Sequence, residues 1–334
     1  MGIVSWNSAE FLDPCLAALP AALAGCDSEV VVVDNASSDD SAAVAERHHG
    51  VTVLRSPLNV GYARAMNLAL GGPAVEVLIA LNPDTVPAPR SLACLVAKLQ
   101  SQPDVGLVAP RLVNPDGSPQ QSAYRFPAPV TAAAEHLMWN EPLTGRLRRR
   151  LWYRSALAAD GSGDVDWTIG AVHVIRHRAL AGQAPYCDRW FLYTEDLHLC
   201  WTLAKTGWRR RLEPSISVVH VGNASGRLRW GADPSEWTIA GCYDWYGLVR
   251  CPRAARLWGV LNILGVLVHG ALLTLRSLSG EEVDRRTRAL VLWRQLPLHL
   301  RVVLFGPPAP VPPPDATTMP GPGLPASPWR WRPR

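Results

Sequence analysis

The chain has 334 residues, of which 48% are hydrophobic and 18% charged, so it can bury a full globular core. Its formal net charge of +5 suits an anionic membrane surface or a phosphate-bearing ligand, but the excess is too small and scattered to indicate a nucleic-acid-binding protein. The seven cysteines contain no Cys-x-x-Cys pair and predict reduced thiols in a cytosolic protein, and the first residues lack the basic region of a signal peptide.

The first half of the chain alternates between strand-like and helix-like segments. Apolar, mostly β-branched runs at 29–34, 51–54 and 75–81 predict strands that are covered on both faces. Residues 40–48 and 62–70, which lie between them, have the composition of helices. This order predicts an α/β fold with a mostly parallel sheet, in which ligands bind at the carboxyl ends of the strands.

Polar residues follow two of these predicted strands. Asp34, Asn35 and Asp39 lie after the first strand, and Asn82 and Asp84 lie after the third. Such side chains can bind a base or a ribose, although an Asx turn that caps the next helix explains the first group equally well. The same alternation fits a dinucleotide-binding oxidoreductase, but the sequence contains neither its Gly-x-Gly-x-x-Gly fingerprint nor a Walker-type phosphate loop.

Two adjacent carboxylates, Glu195 and Asp196, follow the aromatic residues Phe191 and Tyr193 and precede an apolar segment at 197–203. Acidic side chains are rarely buried unless something pairs with them, so this setting indicates a base or a ligand. The alternative is the acidic first turn of a helix, where carboxylates offset the positive end of the helix dipole.

Five motifs occur in the order seen in family 2 glycosyltransferases, which the first two-thirds of the chain resemble, most of all their rhamnosyltransferase-like branch. The motifs are Val33-Asp34-Asn35-Ala36-Ser37-Ser38-Asp39, Asn59-Val60-Gly61-Tyr62-Ala63-x-Ala65-x-Asn67, Leu81-Asn82-Pro83-Asp84-Thr85, Phe191-x-Tyr193-x-Glu195-Asp196 and His220-x-Gly222. The resemblance implies a GT-A fold, in which a nucleotide-sugar-binding α/β half is joined to an acceptor-binding half.

The resemblance also implies roles for individual residues. Asp196, assisted by Glu195, would be the catalytic base, and Asp84 and His220 would bind the metal. Gly170 and Ala171, which follow the strand-like residues 165–168, match the segment on the acceptor side. The residues that the motifs place at the donor nucleotide-sugar are Asp34, Asn35, Asp39, Asn59, Gly61, Asn82 and Asp84. From the residues alone, a core histidine at the end of a strand is the better explanation of His220, and the order of the motifs favours the metal ligand.

Sugar transfer from a nucleotide diphosphate produces a leaving group with concentrated negative charge, which Mg²⁺ or Mn²⁺ held by oxygen ligands would neutralise. A carboxylate can take the proton of the acceptor hydroxyl as it attacks, and direct attack inverts the anomeric carbon. The expected reaction is transfer of rhamnose from dTDP-rhamnose to a lipid-linked or polysaccharide acceptor for the cell envelope, at the cytoplasmic face of the membrane.

A second hypothesis is a catalytically weak nucleotide-sugar-binding or scaffold protein of an envelope assembly complex. Family members usually have more residues before the first strand, whereas Met1 is only three residues from Val4, so this strand looks cut short. In addition, His198 and Thr202 stand where the family usually has Asp and Arg. These departures motivate the alternative, and donor turnover separates the two hypotheses.

The domain organisation predicted from the sequence has three parts. Residues 1–230 form the GT-A domain, with a donor half at about 1–115 and an acceptor half at about 116–230, and residues 231–306 form a helical extension. Residues 307–334 are proline-rich and predicted to be disordered. Residues 257–275 contain no Asp, Glu, Lys or Arg, so this segment is a helix at the membrane interface, a buried core helix or a membrane span.

Overall fold

A computed structural model describes residues 1–72, 75–129, 163–222, 235–278 and 283–309. The chain divides into two compact units. The described part of the first unit covers 1–72, 75–124 and 163–222, and that of the second covers 125–129, 235–278 and 283–309. The boundary predicted at residue 230, and residues 310–334 of the predicted tail, lie outside the described residues.

The first unit is an α/β domain. Its strands are β1 (Gly2–Ser5), β2 (Val30–Asp34), β3 (Val51–Arg55), β4 (Val77–Leu81), β5 (Thr85–Pro87), β6 (Val105–Val113), β7 (Ala123–Tyr124), β8 (Gly163–Asp164), β9 (Trp167–Thr168), β10 (Val172–Arg176) and β11 (Arg209–His220). Its α-helices are α1 (Ala9–Ala22), α2 (Ser41–Glu46), α3 (Tyr62–Ala69), α4 (Ser91–Gln100) and α5 (Glu195–Lys205), and a short 3-10 helix covers His177–Leu180.

Among the described residues, the main sheet has nine strands in the order β3-β2-β1-β4-β10-β6-β11-β5, and β8 also pairs with β11. Strands β1, β2, β3 and β4 run in one direction. Strand β6 runs the same way because β4 and β6 are both antiparallel to β10, and β11 is parallel to β6. Only β5, β8 and β10 run the other way. The predicted mostly parallel, mixed sheet is confirmed.

The short first strand lies in the middle of this sheet. Gly2 is in register with Val31 of β2 on one side and with Ala80 of β4 on the other. Helices α1 and α4 contribute fully buried leucines, such as Leu12 and Leu95, to the core of the unit. Burial of such a side chain stabilises the fold by roughly 2 kcal/mol, so this packing fixes the strand ends on which the polar motifs lie.

The strands and helices predicted in the first half are confirmed to within a few residues. The strand-like segment 165–168 is shorter than its composition suggests, because only the two residues of β9 pair, and they pair with β7 in a separate two-stranded sheet.

The second unit is helical, in agreement with the predicted C-terminal extension. Its helices are α6 (Ser235–Val249), α7 (Pro252–Leu278) and α8 (Val283–Phe305). By length and composition alone, Pro252–Leu275 of α7 is long and apolar enough to cross a membrane.

Candidate active site

The sheet brings the predicted donor and metal residues to one edge. Strand β2 ends at Asp34, which is in register with Ser5 of the central strand, and β4 ends immediately before Asn82. Strand β11, which runs in the same direction, ends at His220, opposite Thr85. These side chains therefore lie at the carboxyl ends of the parallel strands, where ligands of α/β sheets bind.

Asp84 and His220 face each other at this edge. The distance between His220 Nε2 and Asp84 Oδ1 is 3.4 Å, and both side chains are buried. Their approach follows from strand pairing, because Thr85, the residue after Asp84, is the register partner of His220. The structure thus places together the two residues that the resemblance assigns to a metal.

Gln120 determines which nitrogen of His220 carries the proton. The Gln120 amide nitrogen donates to Asn114 Oδ1 at 3.1 Å and to the His220 carbonyl oxygen at 3.4 Å, so its oxygen is the atom turned to the imidazole. That oxygen lies 2.6 Å from His220 Nδ1 and can only accept, so Nδ1 donates the hydrogen. In the neutral ring, Nε2 then keeps its lone pair and points it at Asp84.

In that neutral form, two acceptors face each other without a hydrogen between them. His220 Nε2 is buried and makes no hydrogen bond within the described structure. A nitrogen lone pair opposite a carboxylate oxygen is an arrangement that a cation resolves, and a histidine ligand usually donates its other N–H to a fixed partner, as His220 does to Gln120. Within the described ranges no group of three or more His, Cys, Asp and Glu side chains could hold a metal. A cation bound by this pair would keep positions for diphosphate oxygens and water.

The glycine of the His220-x-Gly222 motif makes room for this arrangement. Gly222 has a φ of +81°, and a Cβ there would lie 2.9 Å from the Gln120 amide nitrogen. A side chain at this position would displace the amide that orients His220.

Two further buried acceptors lie at the same strand ends. Asp34 accepts a hydrogen bond from the Ser37 backbone at 3.4 Å through Oδ2, while its buried Oδ1 has no partner in the described structure. Asn82 Oδ1 is likewise buried and has no hydrogen-bond partner in the described structure. Buried polar atoms are normally hydrogen-bonded, so unsatisfied acceptors grouped at a strand edge indicate a ligand site.

Three of the predicted donor-binding residues use their polar atoms within the protein. Asn35 donates to Asn59 Oδ1 at 2.9 Å and accepts from the Val60 backbone at 2.9 Å. Asp39 accepts from the backbone nitrogens of Ala9 and Ser41, both at 3.0 Å. These contacts shape the loops around Asp34, and direct contact of Asn35, Asn59 or Asp39 with a donor stays a prediction.

Gly61 joins the donor side of the site to the loop before the carboxylate pair. The Tyr62 backbone nitrogen donates to the Phe191 carbonyl oxygen at 2.8 Å. A Cβ on Gly61, whose φ is +84°, would lie 2.6 Å from that same oxygen. Only glycine therefore allows the two loops to approach this closely.

The two carboxylates at the start of α5 differ in their surroundings. Asp196 is half-buried, and its carboxylate accepts from the Gly170 backbone at 3.1 Å and from its neighbour Leu197 at 2.7 Å. Burial raises the pKa of Asp196 to about 6, although these two hydrogen bonds oppose the rise. Burial and the adjacent Asp196 charge raise the pKa of Glu195 well above its usual range. Glu195 Oε2 is buried without a hydrogen-bond partner in the described structure, whereas Asp196 accepts two backbone hydrogen bonds, so Asp196 is the better placed of the two to carry a charge.

Gly170 and Ala171 connect Asp196 to Asn82, the residue that follows β4. Besides the bond from Gly170 to Asp196, the Asn82 backbone nitrogen donates to the Ala171 carbonyl oxygen at 2.9 Å. The Tyr62 hydroxyl donates to the Gly170 carbonyl oxygen at 3.3 Å. The predicted acceptor-side segment therefore contacts the candidate base Asp196 and the backbone of Asn82.

Backbone strain is concentrated just before the carboxylates. Tyr193 and Thr194 have backbone φ values of +66° and +78°, which residues other than glycine rarely adopt. Each such residue costs on the order of 1–3 kcal/mol and persists where the surrounding structure enforces it, often at active sites. The strain is consistent with a loop that is held in one geometry for a functional reason.

The two departures from the family in α5 lie elsewhere. His198 and Thr202 line a small pocket with residues such as Leu180 and Leu203, and none of the candidate site residues lines it. Burial, with the nearby Arg189 charge, lowers the pKa of His198 to about 4, so this ring is neutral at physiological pH.

Sequence reasoning missed Gln120 and its anchor Asn114. Both lie in a polar stretch after β6 that carries no recognisable motif, and their role depends on a contact with His220, 100 residues away along the chain. The one available signal was the glycine of His220-x-Gly222, which implied a close neighbour without identifying it.

Comparison with known proteins identifies the fold and the family. Residues 2–163 match the description of glycosyl transferase family 2, a match that ends before Glu195, Asp196 and His220. The chain is 28% identical over 211 residues to an N-acetylglucosaminyl-diphospho-decaprenol L-rhamnosyltransferase of Mycobacterium tuberculosis, covering 59% of this chain and 68% of the relative. It is 29% identical over 271 residues to a pre-mycofactocin glycosyltransferase of the same organism, covering 78% of this chain and 53% of that one.

Among solved structures, the chain resembles a mannosyltransferase from Pyrobaculum calidifontis in complex with GDP-Man and Mn²⁺. The TM-score is 0.55 at 17% identity, and the match covers 91% of this chain and 86% of the other, which establishes a shared fold. These findings exclude the oxidoreductase alternative. Residues 2–163 are thus identified as a family 2 glycosyltransferase domain, and the chain is a glycosyltransferase with a GT-A fold.

Proposed function

We propose that this glycosyltransferase moves rhamnose from dTDP-rhamnose to a lipid-linked or polysaccharide acceptor, with inversion of the anomeric carbon, in cell-envelope glycan synthesis at the cytoplasmic face of the membrane. The relative named as an L-rhamnosyltransferase that acts on a diphospho-decaprenol lipid supports both the sugar and the acceptor class. The observation that carries the chemistry is Asp196, a half-buried carboxylate with a pKa of about 6.

In this mechanism the acceptor hydroxyl attacks the anomeric carbon as the bond from that carbon to the diphosphate oxygen breaks. Asp196 takes the hydroxyl proton, and the bonding electrons leave with the nucleotide diphosphate. The Gly170 and Leu197 backbone groups hold Asp196 in place, and Glu195, whose ionisation is disfavoured, leaves the negative charge on its neighbour.

The donor end of the site is assigned to the strand-edge acceptors. The buried, unsatisfied Asp34 Oδ1 would accept the N–H of the thymine base. Asp84 and His220 would hold Mg²⁺ or Mn²⁺ against the diphosphate, where the cation neutralises the charge of the leaving group. The Mn²⁺ in the mannosyltransferase structure supports this choice of ion.

Turnover of a panel of nucleotide sugars, with release of nucleotide diphosphate as the readout, tests the proposal. We expect dTDP-rhamnose to be used with an N-acetylglucosaminyl-diphospho-polyprenol acceptor. Asp196→Asn should lower turnover by about 100-fold or more while donor binding is kept, because an amide retains the shape but cannot take a proton. Asp188→Asn is the matched control, since Asp188 is 45% exposed and lies 3.7 Å from Arg64.

Near-normal turnover in the Asp196→Asn protein would rule out Asp196 as the base. Calorimetry with dTDP, with and without Mn²⁺, tests the cation separately. Affinity should depend on Mn²⁺ in the unmodified protein and lose that dependence in Asp84→Ala. Nucleotide binding without turnover of any donor would instead favour the scaffold alternative.

A further inference from the structure

Helix α7 exposes a stripe of large apolar side chains, called here the leucine face. Its members repeat every three or four positions along the helix and are all leucine or valine. They are Leu257 (55% exposed), Val260 (39%), Leu264 (53%), Leu267 (44%), Val268 (47%), Leu272 (47%) and Leu275 (64%). A surface helix of a water-soluble protein exposes a polar face, whereas α7 is apolar on its exposed face as well as on much of its buried one.

The inward face of α7 carries polar and small residues beside the buried apolar side chains of Trp258, Val266 and Leu273. Buried Asn262 donates to the Tyr243 hydroxyl at 2.9 Å, and that hydroxyl lies 2.9 Å from His299 Nδ1 on α8. Gly259 and Gly270 are packed so closely that a Cβ would lie 3.0 Å from Val303 and 2.9 Å from Trp293. Small residues at the helix contact and polar residues bonded across it are typical of helices that pack in lipid.

Helix α8 limits how deeply the pair can enter a membrane. Arg294 and Arg301, two turns apart, are both exposed, alongside exposed Leu304 and Phe305. A helix with exposed arginines in its middle and at its end is costly to place across the hydrocarbon core, but its arginines can reach lipid phosphates from the interface.

We propose that α7 and α8 lie in one leaflet of an anionic membrane, with the leucine face of α7 among the acyl chains. Exposed Arg253 and Arg256 on α7, with the two arginines of α8, lie at the headgroups. This inference deepens the membrane location in the proposed function. A buried core helix is disfavoured because only 44% of the apolar segment is buried. A membrane span is disfavoured because the exposed arginines of α8 would have to enter the hydrocarbon core.

Flotation of the full-length protein with vesicles containing phosphatidylglycerol tests the inference without requiring sugar transfer. The unmodified protein should float, and the double variant Leu264→Glu with Val268→Glu should bind at least about tenfold more weakly because charge replaces inserted apolar area. Val75→Glu, which changes an equally exposed valine in the first unit, should float normally. Release of nucleotide diphosphate from the donor should be unchanged in the double variant, so failed flotation and failed catalysis are separate results.

Salt and alkaline carbonate distinguish the depth of insertion. High salt should reduce binding by less than about tenfold, because it screens the arginines but not the leucine face, and carbonate should extract the protein. Resistance to carbonate would indicate a span and overturn the inference. Equal flotation of both proteins would overturn it as well. So would a soluble dimer, seen by light scattering, that the double variant dissociates, because the leucine face would then be a contact between two copies.

Discussion

Replacement of Asp196 by Asn should make the protein more stable at the pH where the enzyme is expected to work. Burial raises the pKa of this carboxyl from 3.8 to about 6 in the folded protein. Because the folded value is the higher one, the protonated carboxyl favours folding, and this contribution is lost as the pH rises through about 6. At about 1.4 kcal/mol per unit, ionised Asp196 costs about 3 kcal/mol at pH 8.

The pH dependence of the effect is its most direct measure. At pH 4.5 the cost has fallen to about 1 kcal/mol, so the stability of Asp196→Asn relative to the unmodified protein should be about 2 kcal/mol greater at pH 8 than at pH 4.5. An amide also loses one of the two acceptors that bond Gly170 and Leu197, but that loss is present at both pH values and cancels in the comparison.

Urea unfolding at the two pH values provides the assay, with Asp27→Asn as a control that removes an exposed carboxyl. A relative stability that is the same at both pH values would refute the reasoning, since Asp196 would then ionise as easily in the folded as in the unfolded chain. Stabilisation together with lost turnover would identify Asp196 as a group kept for function at the expense of stability.

Three further substitutions test other parts of the site and fold. Gln120→Met should weaken binding of Mn²⁺ with dTDP about tenfold or more in calorimetry, because the oxygen that orients His220 is lost, whereas Gln120→Glu should retain most of the affinity. Gly61→Ala should lower the free energy of unfolding by about 3 kcal/mol, through the clash and the positive φ together; Gly25→Ala, with a similar φ and open space around it, should cost only about 1 kcal/mol. Arg176→Met should cost about 3 kcal/mol without changing donor binding, because buried Arg176 donates to three backbone carbonyls; an unchanged midpoint in urea would contradict this.

The fold could be predicted from the sequence because its determinants are local. The runs that became β2 and β4 are almost entirely apolar and are buried on both faces, so a parallel sheet followed from composition. The same prediction was wrong for β3, because this strand lies at the edge of the sheet and leaves Thr52 exposed. The shared location of Asp34 and Asp84 could then be predicted, because the carboxyl ends of parallel strands meet at one edge of the sheet.

The remaining features depend on contacts between distant parts of the chain. Asn35 and Asn59 have the residue types of ligand-binding groups, but only the folded loops show that they bind each other. Gln120 acquires its role from His220, and no local pattern marks it. The sequence of α7 revealed an apolar helix, but which of its faces is covered depends on α8 and could not be read from composition.

The close contact between Gly61 and Phe191 has a consequence for engineering. Acceptor preference in chimeric enzymes is commonly altered by exchanging a loop, and the segment before Glu195 is the natural one to exchange here. Because the Phe191 carbonyl binds the Tyr62 backbone and leaves no room for a side chain at residue 61, an exchanged segment must follow the same backbone path. The two loops should therefore be exchanged together, because a graft that carries 191–194 without 59–62 would lose the contact between them.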